Sequence, residues 1–263
     1  MNRRAASLYT ILALGYAFLY LPILLLVIYS FNASRLVTVW GGFSTHWYAE
    51  LAHDDKVLDA AWLSLKVAVC TATLATFLGT LASVLLVRFK RYPGSTLFAG
   101  MVAAPLVMPE IITGLAMLLL FVSMEQLIGW PAGRSMTTIV IAHVTFCLSF
   151  VTVVVRSRLA QMDLSLEEAA MDLGARPLKV FLVITLPLIA PALMAGWLLA
   201  FTLSVDDLVI SSFVTGPAAT TLPIVIFSKV RLGVSPEINA LASVFVAVVG
   251  VAIALGGTLS RKN

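Results

Sequence analysis

Long apolar runs recur along this chain, and they limit its fold more than any other feature. The first extends from about Leu8 to Phe31, and others cover about Ala61–Val87, Thr96–Val122, Met136–Val155, Leu186–Ser204 and Ile238–Leu259. Each is close to or beyond the ~20 residues that an α-helix needs to cross a bilayer. In hydrocarbon each backbone polar group must be satisfied internally, which helices do within a single segment. The fold expected is therefore all-α: a polytopic membrane protein of six transmembrane helices, with residues 1–263 forming a single transmembrane domain. Composition agrees, since only 11% of the residues are charged where a soluble domain carries ~25%.

The loops between the runs carry a charge bias. Arg3, Arg4, Arg88, Lys90, Arg91, Arg156, Arg158, Arg176, Lys179, Arg261 and Lys262 fall on one side of a six-span arrangement, eleven of the 17 basic residues. By the positive-inside rule that side is cytoplasmic, so both termini are expected inside. The net charge of +4 is then a topology signal and does not point to nucleic acid. The stretch Asn32–Asp59 is rich in acids and carries Trp40, Trp47 and Tyr48, which suit an outer membrane interface. The first run is too long for a signal peptide, whose apolar core spans ~7–15 residues, and Pro22 lies within it, so an uncleaved first span is expected. Between Val209 and Glu237 the apolar stretch is too short to cross, and an outside or re-entrant helix is expected there.

No catalytic set is visible. His46, His53 and His143 are scattered, Cys70 and Cys147 sit singly in apolar runs, and there is no metal-ligand spacing, nucleophile elbow or phosphate-binding loop. The chain is expected not to be an enzyme and to hold no cofactor or metal; any ATP and Mg would belong to a partner ATPase. His143 reads as a packed, hydrogen-bonded residue.

Acids inside or beside the spans carry more information. Glu110 lies within the third run, flanked by Pro105 and Pro109, which break the helical ladder as happens where a helix lines a cavity. Asp206 and Asp207 follow the fifth run as a second acidic point, either on a path or simply solvated at a helix end. Two acidic points along a path fit a cationic solute, to which Trp197 and Trp130 could add cation–π contacts. Packing is the competing role for both tryptophans.

The longest polar-bearing interruption in the second half includes Glu168-Ala169-Ala170-Met171-Asp172-Leu173-Gly174, followed by Ile184-Thr185-Leu186-Pro187. Ser165 with Glu168 has capping-box spacing, Leu166, Ala169, Ala170 and Leu173 form one apolar stripe, Gly174 suits a helix C′ position, and Pro177 suits a helix start. This predicts a short helix outside the membrane, within a loop of about residues 156–187.

The order Glu168-Ala169-Ala170, Gly174, Ile184, Leu186-Pro187 resembles, without a gap, the signature loop of permease subunits in bacterial binding-protein-dependent ABC importers. That resemblance implies a MetI-like permease in the bacterial inner membrane, with Ser165, Glu168, Ala169, Ala170, Asp172, Leu173, Gly174 and Pro187 coupling it to an ATPase. The stretches Tyr29–Asn32, Pro105–Gly114, Ala142–Cys147, Glu167–Pro187, Gly196–Ile210, Gly216–Pro223 and Val230–Leu241 are similar to polyamine importer permeases, above all the putrescine type. The implied partners are a second, homologous permease, a cytoplasmic ABC ATPase dimer, a periplasmic polyamine-binding protein and membrane lipid. Glu110, Asp206, Asp207 and Trp197 become the substrate-path residues under this reading. The outside loops become the binding-protein surface. Two alternatives stay open at this level: an importer of the same architecture for an amino-phosphonate, an iron chelate or thiamine, and a channel or secondary transporter that needs no ATPase.

Overall fold

In the computed structural model, residues 3–36, 39–89, 92–217, 219–233 and 236–247 are described. Among them the secondary structure is helical, with one isolated bridge between Asn32 and Phe43. The order is α1 (Arg3–Tyr29), α2 (His46–Leu51), α3 (Asp55–Arg88), α4 (Ser95–Val107), α5 (Glu110–Ile128) and α6 (Met136–Ala160). There follow α7 (Ser165–Asp172), α8 (Pro177–Val180), a π-helical turn at Phe181–Thr185, α9 (Leu186–Val205), α10 (Val209–Val214) and α11 (Leu222–Leu232). A last helix, α12 (Pro236–Ala247), closes the described chain. Among the described residues, five segments are long and apolar enough to cross a membrane: Leu8–Tyr29, Asp55–Arg88, Glu110–Ile128, Met136–Ala160 and Pro177–Val205. The protein is a multi-pass membrane protein. The sixth expected span begins in α12 and continues into residues 248–263, which lie outside the described residues, as do Lys90 and Arg91.

The chain divides into two compact units, Met1–Leu58 with Val225–Asn263, and Asp59–Ile224. In the first, none of residues 8–29 is buried, as suits an all-round apolar helix made for lipid or another chain. The loop after α1 is organised by buried Asn32, whose Oδ1 accepts the Gly41 N–H at 2.8 Å and whose Nδ2 donates to the Val39 carbonyl at 2.8 Å. Trp47 closes the loop by donating its indole N–H to the Asn32 carbonyl at 2.6 Å. Lys229 of α11 bridges Asp54 at 2.6 Å and Glu237 at 2.7 Å.

The second unit is built around α6, which buries Ile139, Ala142, His143, Cys147, Val151, Val155 and Leu159 along its length. Helix α9 packs along it, α4 lies against it, and α10 packs on both α5 and α6. Small side chains bring backbones together: Ser83 of α3 donates across to the Thr152 carbonyl of α6 at 3.0 Å.

Three expected boundaries change. The third run is two helices, because Met108 is extended (φ −83, ψ 137) ahead of Pro109, the conformation that a following proline imposes. The membrane-length part is α5, which extends to Ile128. The fifth span begins at Pro177 instead of Leu186, since α8, the π turn and α9 are continuous. The π turn precedes Pro187, and the Leu186 N–H reaches back five residues to the Phe181 carbonyl. Proline has no N–H and its ring crowds the carbonyl four residues back; one extra residue in the turn relieves that clash. The stretch expected to hold one re-entrant helix between Val209 and Glu237 contains two short ones, α10 and α11.

Candidate functional site

The loop between α6 and α8 is shorter than its sequence pattern implies, because α6 continues to Ala160. Within it α7 forms where expected, but its start differs. Ser165 is the first helical residue, not the cap, and its N–H donates to Asp163 Oδ1 at 3.0 Å. The capping box is therefore absent. The Glu167 and Glu168 N–H groups that a Ser165 cap would take bond the Leu164 carbonyl, each at 3.0 Å, and the bond from Ser165 holds the Asp163 carboxyl below its usual range. Glu167 and Glu168 in the first turn suit the positive end of the helix.

The other end matches expectation. Gly174 has φ +86; its N–H donates to the Met171 carbonyl at 2.9 Å, and the Ala175 N–H to the Ala170 carbonyl at 3.1 Å. These two bonds are a Schellman stop, which needs a left-handed residue at this position. Pro177 opens α8, where its missing N–H is harmless.

No residue of α7 is buried. Leu173 is 90% exposed, Leu166 and Met171 are also exposed, as are Glu168, Ala169 and Asp172, and Ala170 is half-buried. The predicted stripe thus faces away from the bundle. One side chain points the other way. Glu167 Oε1 accepts from Arg88 Nη2 at 2.6 Å and from Thr185 Oγ1 at 2.8 Å, so α7 is tied to the end of α3 and to the π turn. Arg88, read only as a topology signal, and Thr185 had no assigned role in the sequence; a paired glutamate in the first turn was the one available hint. Behind them lies a pocket of about 300 Å³, walled by Val84, Leu159, Met171, Val180 and Phe181.

The substrate-path candidates are dispersed. Glu110 is exposed at the first position of α5, immediately after the break at Pro109, and makes no hydrogen bond or ion pair among the described residues. The helix N-terminus offsets part of the cost of placing a carboxylate there. Asp206 is exposed, but Asp207 is not a solvated helix-end residue. Its side chain is 7% exposed and lies 3.1 Å from His143 Nε2. The same carboxylate accepts the Ser211 N–H at 2.7 Å and the Ile210 N–H at 3.3 Å, which begins α10. His143 Nδ1 lies 2.8 Å from Ser204 Oγ, and Nε2 is 3.0 Å from Ser211 Oγ. An ionised carboxylate only accepts, so Nε2 carries a hydrogen toward Asp207, and Nδ1 is paired with the Ser204 hydroxyl. His143 is thus the packed, hydrogen-bonded residue expected, with partners more than 60 residues away that no local pattern reveals. Trp197 stacks on Phe201 at 5.3 Å and donates to Thr73 Oγ1 at 3.2 Å, which engages its ring and N–H in packing.

Residues 75–261 match the family described as binding-protein-dependent transport system inner membrane component. The chain is 64% identical over 241 residues to the putrescine transport system permease protein PotI of Escherichia coli (strain K12), covering 92% of this chain and 86% of that one. It is 46% identical over 229 residues to the spermidine/putrescine transport system permease protein PotC of the same strain, covering 87% and 84%. Among solved structures, a bacterial ABC transporter involved in the import of the acidic polysaccharide alginate superposes with a TM-score of 0.75 at 17% identity, over 99% of this chain and 96% of that one. A second, of the alginate transporter in complex with an alginate pentasaccharide-bound periplasmic protein, gives 0.69 at 14% identity over 95% and 91%. At such identities the likeness is one of fold.

Proposed function

Given that the chain belongs to the family of binding-protein-dependent transport system inner membrane components, we propose that it is the permease subunit of an ATP-driven importer for putrescine. It is a transport subunit and not an enzyme. The observation that carries the reading is α7. Its Leu166, Ala169 and Leu173 are presented outward, its end is fixed by Gly174, and its sequence keeps the loop signature without a gap. A helix that exposes apolar side chains outside the membrane-length segments is shaped for a protein partner.

In this reading α7 docks on a cytoplasmic ABC ATPase, and ATP with Mg is bound there. A homologous second permease completes the path, and a periplasmic polyamine-binding protein delivers cargo to the opposite face. Both termini are cytoplasmic, in an inner membrane. Closure of the ATPases moves α7, and the spans pass that movement to a cavity open alternately to each side. Glu110 is the carboxylate best placed to meet an ammonium group, because it is exposed beside a broken helix. Asp206 is a second contact; Asp207 and Trp197 act by shaping the bundle. Similarity to both putrescine and spermidine permeases makes the longer polyamine the natural competitor.

Uptake of radiolabelled putrescine and spermidine by the complete complex in vesicles tests this. ATP-dependent putrescine uptake, lost in Glu168→Ala and reduced in Glu110→Gln, is expected. ATP-independent uptake, or failure to move either polyamine, would overturn it.

A further inference from the structure

Helix α7 is held to the bundle by remarkably few side chains for an element that must pass on a mechanical stroke. It buries no residue. Among the described residues its only side-chain hydrogen bonds and ion pair into the bundle are those of Glu167, to Arg88 at 2.6 Å and to Thr185 at 2.8 Å. Both converge on a single oxygen, Oε1. Beneath α7 the apolar contacts are interrupted by the 300 Å³ pocket that Met171, Val180 and Phe181 help to wall. To the contacts of α7 with α8 and the π turn, the polar link adds a directional tie to α3.

The points of attachment are also informative. Arg88 is the last residue of α3, and Thr185 is the last residue of the π turn that leads into α9. Thr185 is buried and fills the position between Ile184 and Leu186-Pro187. Arg88 and Glu167 have side chains 17% and 15% exposed, so their attraction is shielded from water far more than a surface ion pair's. A charge-assisted bond of this length and a second donor on the same oxygen fix both distance and direction.

We propose that Glu167, clasped by Arg88 and Thr185, is the positioning residue that delivers movement of α7 to α3 and α9 together. The proposal rests on the reading of α7 as the ATPase-docking helix and adds the route by which docking reaches the spans. Glu168 faces the partner; Glu167 faces the bundle. With the clasp cut, α7 still binds the ATPase but moves without the spans, and ATP is spent without transport.

The test is the number of ATP molecules hydrolysed per putrescine delivered by the reconstituted complex. For Glu167→Ala and Thr185→Val we expect that ratio to rise about fivefold or more, the lower range of energetic coupling between sites. The reversed pair R88E/E167R should return it to within about twofold of wild type, as expected of interacting neighbours. A ratio unchanged in both single variants overturns the proposal. Should Glu167→Ala fail to assemble, Thr185→Val decides alone, since it keeps the shape and removes only the hydroxyl: a wild-type ratio there overturns the clasp. If the wild-type complex moved neither polyamine, the proposed function would fall, and the clasp would be judged by ATPase rate. A rate equal in wild type and all variants would overturn it as well.

Discussion

Two short helices flank α9, and they are fastened in opposite ways. Helix α10 follows it, packs on α5 and α6, and buries Ile210, Ser211 and Val214. Asp207 opens it, His143 holds Asp207, and Thr138 donates to the Val214 carbonyl at 2.8 Å. Helix α7 precedes α9, buries nothing, and among the described residues its side-chain hydrogen bonds into the bundle are those of Glu167. The difference teaches how to tell an internal strut from a handle. A strut spends its apolar residues on the bundle and satisfies its polar ones there. A handle keeps its apolar face outward for a partner and holds the bundle by a directional bond.

Breaking α10's attachment should have the largest effect. His143→Ala removes one buried donor from the Asp207 carboxylate and leaves a void beside it, which destabilises by about 3 kcal/mol; thermal unfolding in detergent would record it. Next is Gly114→Ala on α5. A Cβ there would lie 2.6 Å from Phe213 Cδ2 and 3.3 Å from Ile210 Cα of α10, and overpacking of this kind costs about 1–3 kcal/mol. On the α7 side the effects on folding shrink. Gly174→Ala forces φ +86 on a residue with a Cβ, a penalty of about 1–2 kcal/mol, read as fraying of α7 by hydrogen exchange. Leu173→Ala should shift stability by no more than about 0.5 kcal/mol, since Leu173 is 90% exposed, yet weaken ATPase binding measured by co-purification. Equal losses of stability for His143→Ala and Leu173→Ala would erase the distinction between strut and handle.

A milder probe lies in the other unit. The Lys229 ammonium holds the Asp54 carboxyl below its usual range. Burial alone would lower the Lys229 pKa, but Asp54 and Glu237 outweigh it and raise it above 10.5. A depressed carboxyl contributes stability above its unfolded pKa, ~3.9, and loses it as pH falls through the folded value. The raised lysine contributes below 10.5 and loses it as pH rises through its folded value. Protection of α11 amides, taken relative to intrinsic exchange at each pH, should therefore be greatest between these limits and fall in acid, with Asp54→Asn reducing the acid limb.

Much of α7 was legible because its signals are local: Gly174, Pro177 and the apolar stripe are read within a dozen residues. The break at Pro109 was visible too, although the run around it had the length of one span. Ser165 misled because the helix starts one residue earlier: the Glu167 and Glu168 N–H groups that a Ser165 cap would take already bond the Leu164 carbonyl, and sequence spacing alone does not fix that start. The His143 node was half legible. A histidine in an apolar run needs a buried partner, but nothing local says that the partner is Asp207, which read as either a path residue or a solvated helix end. Glu167 was hidden by its neighbour, since in a pair of glutamates only the fold reveals which one turns inward.

The π turn gives the fixed spacing of the loop signature a geometrical meaning. An α-helix advances about 100° per residue, so one added residue rotates everything beyond it by about that angle. Ile189, Gly196, Ala200 and Ser204 are buried on one side of α9, and they lie there with the extra residue of Phe181–Thr185 already counted. The distance from Gly174 to Leu186-Pro187 is thus a matter of helical phase. A single deletion within α9 ahead of Ser204 would turn everything beyond it, and with it the serine that meets His143, out of register with α6, whereas one inside the π turn would be absorbed as an ordinary α turn.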